Sequence, residues 1–161
     1  MKDQQEIFVR MALFAWDNYV SRADTLINSL TDEQLQKQIA PGRNTGAYLL
    51  GHLVAVNDTM ISIFGLGERE YKNLDKAFVE NPDKPGMELP LIVELRMSWA
   101  NLNRKLKEYF ISLSPSEWFQ KHTLMTDEDL IKEPHRNKLS VLINRTNHLA
   151  WHYGQLLLLK P

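Results

Sequence analysis

Apolar residues recur every three or four positions over four long stretches of the chain, with polar residues between them. This spacing is the period of an amphipathic helix, so it predicts four long helices. They run from about Gln4 to Leu30, from about 45 to 64, from Pro90 to Leu113 and from about Lys138 to Leu159. In the first, the stripe expected to face the core is Phe8, Ala12, Ala15, Tyr19, Ala23, Leu26 and Leu30. No stretch alternates convincingly as a half-buried strand does, so the predicted fold is all-α, a four-helix bundle.

Turn and cap signals separate the predicted helices. Thr31, followed by Asp-Glu-Gln, is typical of a helix N-cap and predicts a short helix that Pro41-Gly42 ends. The segments 66–89 and 120–137 lack helical periodicity and form long connections, the first of which we expect to act as a functional cover. Long connections permit a crossover, so the sequence does not fix the order in which the helices pack. No repeat or low-complexity tract divides the chain, and we expect a single domain over residues 1–161.

The composition is that of a globular protein and excludes several kinds of site. Of the 161 residues, 43% are hydrophobic and 24% are charged. The formal net charge of −1, without a Lys or Arg run, argues against nucleic acid and anionic membranes as partners. The absence of cysteine excludes disulfides, thiolate metal sites and a cysteine nucleophile. Because we find neither a secretory signal pattern nor a membrane-spanning apolar stretch, we expect a cytoplasmic protein.

Two histidines in the last predicted helix are the first candidates for a metal site. His148 and His152 are spaced i, i+4, which places both imidazoles on one face of a helix. Asn144 and Gln155 lie on or beside the same stripe, where they can orient an imidazole or a substrate group. His52, which borders the apolar stripe of the second predicted helix, is the best candidate for a third ligand. Zinc, nickel, iron and manganese all accept neutral imidazole ligands.

A site of three histidines would be open, as catalytic metal sites are, because at least one coordination position remains for water or substrate. Its ligands are neutral, so a bound ion keeps its full charge and acidifies a coordinated water or thiol. Two plainer interpretations stay open. A His-x-x-x-His pair arises by chance fairly often, and a single histidine on an apolar face is more often hydrogen-bonded in the core. The chain also lacks the glutamate of the His-Glu-x-x-His metalloprotease motif.

Four further residues carry local predictions. His122 and His135 lie in polar, loop-like sequence, and we expect them to be solvated. Asp58 projects from a different side of its helix than His52, and we expect it at the surface. Gly154 is costly inside a helix by about 1 kcal/mol relative to alanine, which predicts the close approach of another element.

Three motifs occur in a characteristic order along the chain. The first is Leu49-Leu50-Gly51-His52-Leu53, an apolar run that leads into a histidine. The second is Asn147-His148-Leu149-Ala150-Trp151-His152-Tyr153-Gly154-Gln155-Leu156, in which His-x-x-x-His is followed by Gly-Gln-Leu. The third is Leu30-Thr31-Asp32-Glu33-Gln34-Leu35 with Pro41-Gly42. Together they resemble the DinB/YfiT-like family, or DinB superfamily, of metal-binding four-helix bundles. One departure is Arg43-Asn44-Thr45, which stands where many members have an aromatic residue before the second helix.

The resemblance implies that His52, His148 and His152 converge on one divalent metal ion and that the chain forms a homodimer. It also implies that the fold is a four-helix bundle with long crossover connections. The family includes transferases, isomerases and hydrolases that use low-molecular-weight thiols, beside many members without a known activity. We therefore predict a metal-dependent enzyme in which bound water or a thiol attacks a small-molecule substrate, by thiol transfer or hydrolysis. The alternatives are a non-catalytic, stress-associated binding module and a structural dimer with hydrogen-bonded histidines.

Overall fold

The computed structural model describes residues 4–84 and 88–160. These form seven α-helices: α1 (Gln4–Ser29), α2 (Asp32–Gln36), α3 (Gly46–Ile63), α4 (Asp75–Phe78), α5 (Ile92–Ser112), α6 (Asp127–Lys132) and α7 (Lys138–Leu156). The four long helices begin and end within about two residues of their predicted limits, except that α7 ends earlier, in a 3₁₀ turn at Leu157–Leu159. No described residue lies in a β-strand, although one isolated bridge pairs Gln38 with Thr45. The all-α prediction is confirmed.

Cap residues set the starts of the helices as the sequence predicts. Thr31 accepts a hydrogen bond from the backbone of Gln34, whose side chain accepts one from the Thr31 backbone, a complete capping box. Thr45 caps α3 by accepting from the backbone N–H of Tyr48. Such side chains satisfy backbone donors that would otherwise lack a partner in the first helical turn.

The four long helices pack around one core. Helix α1 contacts α5 and α7, and α3 contacts the same two helices. The large side chains buried between them come from all four: Trp16, Ile27, Leu49, Leu53, Leu95, Trp99, Leu142 and Leu149. In this packing α1 lies diagonally across from α3, and α5 lies diagonally across from α7. The contact between α3 and α7 is the one that positions the candidate metal ligands.

The inward stripe predicted for α1 is wrong at its first residue, whereas the members that follow are partly or fully buried. Phe8 is exposed, whereas Val9 and Trp16 are buried. Farther along the helix, Ala23 and Leu26 are buried as predicted. The start of α1 is apolar on several adjacent positions, so one face of large apolar side chains remains in contact with solvent.

Among the helices of the described ranges, none combines the length and apolar character needed to cross a membrane.

The prediction that Asp58 lies at the surface is also wrong. Its side chain is 0% exposed and accepts hydrogen bonds from the backbone N–H groups of Glu70 and Tyr71, both at 3.0 Å. Arg69 Nε donates to Asp58 at 3.1 Å, and its two terminal nitrogens each donate to Asp75 at 2.6 Å. The connection after α3 folds back over this helix, so a side chain that points away from the other long helices is nevertheless buried.

Gly154 does not mark a close approach between elements. It is exposed, and a Cβ atom added there would meet no atom of the described residues within 4 Å. The prediction is wrong because Gly154 faces solvent on α7, where no described element packs against it.

Candidate metal centre

Three histidine side chains, predicted as ligands, come together between α3 and α7. His52 lies on α3, and His148 and His152 lie one helical turn apart on α7. Nε2 of His148 is 3.2 Å from Nε2 of His52 and 3.0 Å from Nε2 of His152. All three ligand atoms lie within 4.8 Å of one another. The contact between two helices and the spacing of one turn are together sufficient to assemble the cluster.

Hydrogen bonds on the opposite side of two of these rings fix which nitrogen carries a proton. Nδ1 of His52 lies 2.7 Å from the carbonyl oxygen of Phe78, and this oxygen can only accept. Nδ1 of His152 lies 2.7 Å from Oε1 of Gln155, which also accepts. In the neutral rings both protons therefore lie on Nδ1, and both Nε2 atoms present lone pairs to the centre of the cluster. Gln155 thus makes the kind of contact that the sequence suggests for it.

The residues fit a divalent metal ion. With metal–nitrogen distances of about 2.0–2.1 Å, tetrahedral ligands are spaced by about 3.3 Å. The measured Nε2 separations of 3.0 and 3.2 Å are close to that spacing. Nε2 of His52 and Nε2 of His152 both present lone pairs toward Nε2 of His148. A single proton on Nε2 of His148 can form a good hydrogen bond with only one of these two atoms. A cation at the centre satisfies all three nitrogen atoms at once.

The surroundings of the cluster favour the neutral form of the two imidazoles on α7. The pKa of His148 is lowered to about 4, mainly by burial and further by electrostatic interactions with His152, His52 and Arg145. Burial also lowers the pKa of His152, although its hydrogen bond to Gln155 opposes this effect. Neutral imidazole is the form that binds a metal, so these two ligands are available at neutral pH without competition from protons.

Sequence comparison places the chain in a family. The profile of the DinB superfamily matches residues 15–156, which include all three histidines. The chain belongs to the DinB superfamily. It is also similar to a crystal structure of a conserved protein from Enterococcus faecalis, with a TM-score of 0.63, 14% sequence identity and 92% of each chain covered. At this identity the likeness shows the fold alone. Comparison with curated proteins gave no match.

In this DinB-superfamily protein, the connection between α3 and α5 positions the first histidine. Phe78, at the end of α4, is fully buried, and its ring lies so close to Gly51 that a Cβ atom there would overlap it. The Phe78 carbonyl accepts from His52 and, at 3.3 Å, from the Tyr48 hydroxyl. Phe78 was not predicted as a site residue, because it contributes a backbone oxygen that any residue type could supply. The only signal was the unusual length of the segment 66–89.

Three other residues for which the sequence made predictions lie outside the cluster of three histidines. Asn144 is exposed and lines a pocket beside His148. It does not orient that ring, because Nδ1 of His148 is buried without a hydrogen-bond partner among the described residues. His135 is exposed, as expected, whereas His122 is partly buried and lines the same pocket. Neither of these two histidines belongs to the cluster of three.

One residue of the cluster, His148, lines a pocket of the size that holds a small molecule. This pocket has a volume of about 340 Å³ and is lined by Ile63, His122, Leu124, Val141, Asn144, Arg145 and His148. Binding pockets for small molecules typically begin near 300 Å³ and combine apolar walls with a few polar groups, and this one does both. Arg145 was missed by sequence reasoning, because an arginine on a helix is usually solvated.

Proposed function

We propose that this DinB-superfamily protein is a divalent-metal-dependent enzyme, with His52, His148 and His152 as the metal ligands. The observation that carries the proposal is the convergence of three Nε2 atoms, together with a pocket large enough for a small molecule that is lined by one of the three residues, His148. A three-histidine site leaves a coordination position for water or substrate, which is the arrangement of catalytic metal sites. Zinc, nickel, iron and manganese are the candidate ions.

The reaction classes that fit are the transfer of a low-molecular-weight thiol to an electrophile and hydrolysis. When bound, the ion supplies a positive charge that lowers the pKa of a coordinated thiol or water. The chain contains no cysteine, so a thiol nucleophile must come from a small molecule. His52 and His152 are held in place by Phe78 and Gln155. Asn144 lies in the pocket wall, where it can contact the substrate.

The pocket also bears on the alternative of a non-catalytic, stress-associated binding module or structural dimer. A purely structural metal site would be closed, with no space for a ligand beside it. Here His148 contributes to the wall of a pocket of about 340 Å³. This observation favours the enzyme.

Elemental analysis of untagged protein tests the proposal. We expect about one zinc, nickel, iron or manganese ion per chain in the wild type, and a His52→Ala variant that retains little metal, because it lacks one of three ligands. His135→Ala is the matched control, since His135 is exposed and outside the cluster, and it should keep its metal. A wild type that takes up no metal after incubation with each ion, or a His52→Ala variant with a full complement, would contradict the metal site.

We also propose a homodimer that forms through the exposed apolar face of α1. Ile7, Met11 and Phe14 share this face and line a shallow depression together with Arg10, and the Phe14 side chain is 74% exposed. Exposed patches of large apolar residues commonly mark interaction surfaces.

Phe14→Glu should convert the dimer to a monomer, because it introduces a charge into the apolar contact. Light scattering should then give a mass of 18.8 kDa instead of about twice that value. Ile131→Glu, at an exposed apolar position on α6, is the control and should remain dimeric. A wild type with the mass of one chain would contradict the proposal.

A further inference from the structure

Arg145 is a partly buried cation without an acidic partner in the part of the chain that the structure describes. It lies on α7, three residues before His148. One terminal nitrogen donates to the Thr59 hydroxyl at 3.2 Å, and Nε is buried with no hydrogen-bond partner among the described residues. None of the ion pairs formed by described residues includes Arg145. A guanidinium offers five N–H donors, so this contact with Thr59 leaves donors that a ligand could use.

Two other partly buried arginines have acidic partners that compensate the positive charge of the guanidinium. Arg69 pairs with Asp58 and Asp75, and Arg96 pairs with Asp32 and also donates to backbone carbonyls. Burying a charge without a partner is costly, which is why such groups are normally paired. Burial lowers the pKa of Arg145, and no neighbouring carboxylate opposes the shift. Arg145 therefore differs from Arg69 and Arg96 in lacking an anion.

The position of Arg145 indicates where that anion would bind. Its side chain lines the same pocket as His148, and no carboxylate contributes to the lining of that pocket. A divalent ion held by the histidines would add a second positive charge nearby. Two positive groups beside one small pocket attract an anion and repel a cation. The apolar side chains of Ile63, Leu124 and Val141 would contact the uncharged part of the same molecule.

We propose that Arg145 binds a carboxylate or phosphate group of the small molecule that occupies the pocket beside His148. This inference rests on the proposed function and deepens it by naming the substrate class, a small molecule with an anionic group. The planar guanidinium matches both groups, because it can donate two parallel hydrogen bonds to a pair of oxygen atoms. An anion there would also offset the repulsion between Arg145 and the metal.

Nuclear magnetic resonance of the arginine Nε–H groups tests the proposal on the full chain as purified. Sodium acetate and inorganic phosphate are the probes, and the signals are assigned by through-bond experiments. We expect at least one probe to shift the Arg145 signal saturably, with a dissociation constant on the order of 1 mM for so small a ligand. Arg69 is an internal control in the same spectrum, because Asp58 and Asp75 already occupy its guanidinium. Its signal should not shift.

Variants complete the test. Arg145→Gln should weaken binding of the probe that shifts the Arg145 signal at least tenfold in equilibrium dialysis. Arg104→Gln, at an exposed site on α5, should leave the binding of that probe unchanged. A response to phosphate alone assigns a phosphate group, and a response to acetate assigns a carboxylate. No saturable shift with either probe, or equal shifts at Arg69 and Arg145, would overturn the proposal. Metal content is measured separately, so failure of anion binding is distinguishable from failure of the metal site.

Discussion

Replacing His148 with alanine should lower the affinity for metal by at least about 100-fold, because even residues that only orient a ligand contribute 10–100-fold. Nε2 of His148 is in contact with Nε2 of both other histidines, so its loss leaves two separated nitrogen atoms. A metal that binds only the folded chain stabilises it, by about 4 kcal/mol at a free concentration 1,000 times its dissociation constant. For a chain of this size, that corresponds to an increase of roughly 8–16 °C in the melting temperature.

The measurement is thermal unfolding with and without added metal. The wild type should show this increase, and chelation should reverse it, whereas His148→Ala should show almost none. His135→Ala serves as the control, because its exposed imidazole lies outside the cluster. Comparing each protein with its own metal-free form separates loss of the ligand from any loss of packing. An undiminished increase in His148→Ala would remove this residue from the ligand set.

Asp58→Ala should lower the free energy of unfolding by about 3 kcal/mol, since removing one member of a buried ion pair is strongly destabilising. The change deprives Arg69 of one partner, and the Arg69 side chain is only 15% exposed. It also removes the acceptor for the backbone N–H groups of Glu70 and Tyr71. Each buried donor left without a partner adds its own cost, about 1–3 kcal/mol. Asp75 still pairs with Arg69, which limits the total.

Urea unfolding followed by circular dichroism measures this effect. Glu108→Ala is the matched control, because it breaks an ion pair with Arg104 in which both side chains are mostly exposed. Surface pairs of this kind contribute little, so we expect a change of less than about 0.5 kcal/mol. Equal stabilities for Asp58→Ala and Glu108→Ala would show that the buried network does not hold the connection against α3.

The sequence was most informative where the fold depends on local periodicity. The four long helices follow from apolar spacing, and the starts of α2 and α3 follow from Thr31 and Thr45. Periodicity was less informative at the start of α1, where apolar residues occupy adjacent faces. Either face can be read as the inward one, and packing against α5 and α7 selected Val9 and Trp16 over Phe8.

The same distinction between local spacing and packing between elements applies to the candidate site. His148 and His152 are predictable from one helix, because a spacing of four residues fixes their relation. His52 was a candidate from its place beside an apolar stripe, but its meeting with the other two histidines required the resemblance to the family, since apolar patterning does not show which helix faces meet. The Phe78 carbonyl and the burial of Asp58 depend on the path of the segment 66–84 over α3, and no pattern in that segment encodes its path. These contacts could not have been predicted from the sequence.

The distribution of the three histidines over two helices has a consequence for folding. His148 and His152 belong to one helix, whereas His52 is 96 residues from His148 and reaches it only when α3 packs against α7. A partly folded chain in which α7 has formed but has not docked on α3 offers only two of the three nitrogen atoms. The third joins them when the long-range contact forms. Metal uptake would therefore lag behind helix formation and coincide with the docking of these two helices. A chain that opens this interface would release its ion even while its helices persist.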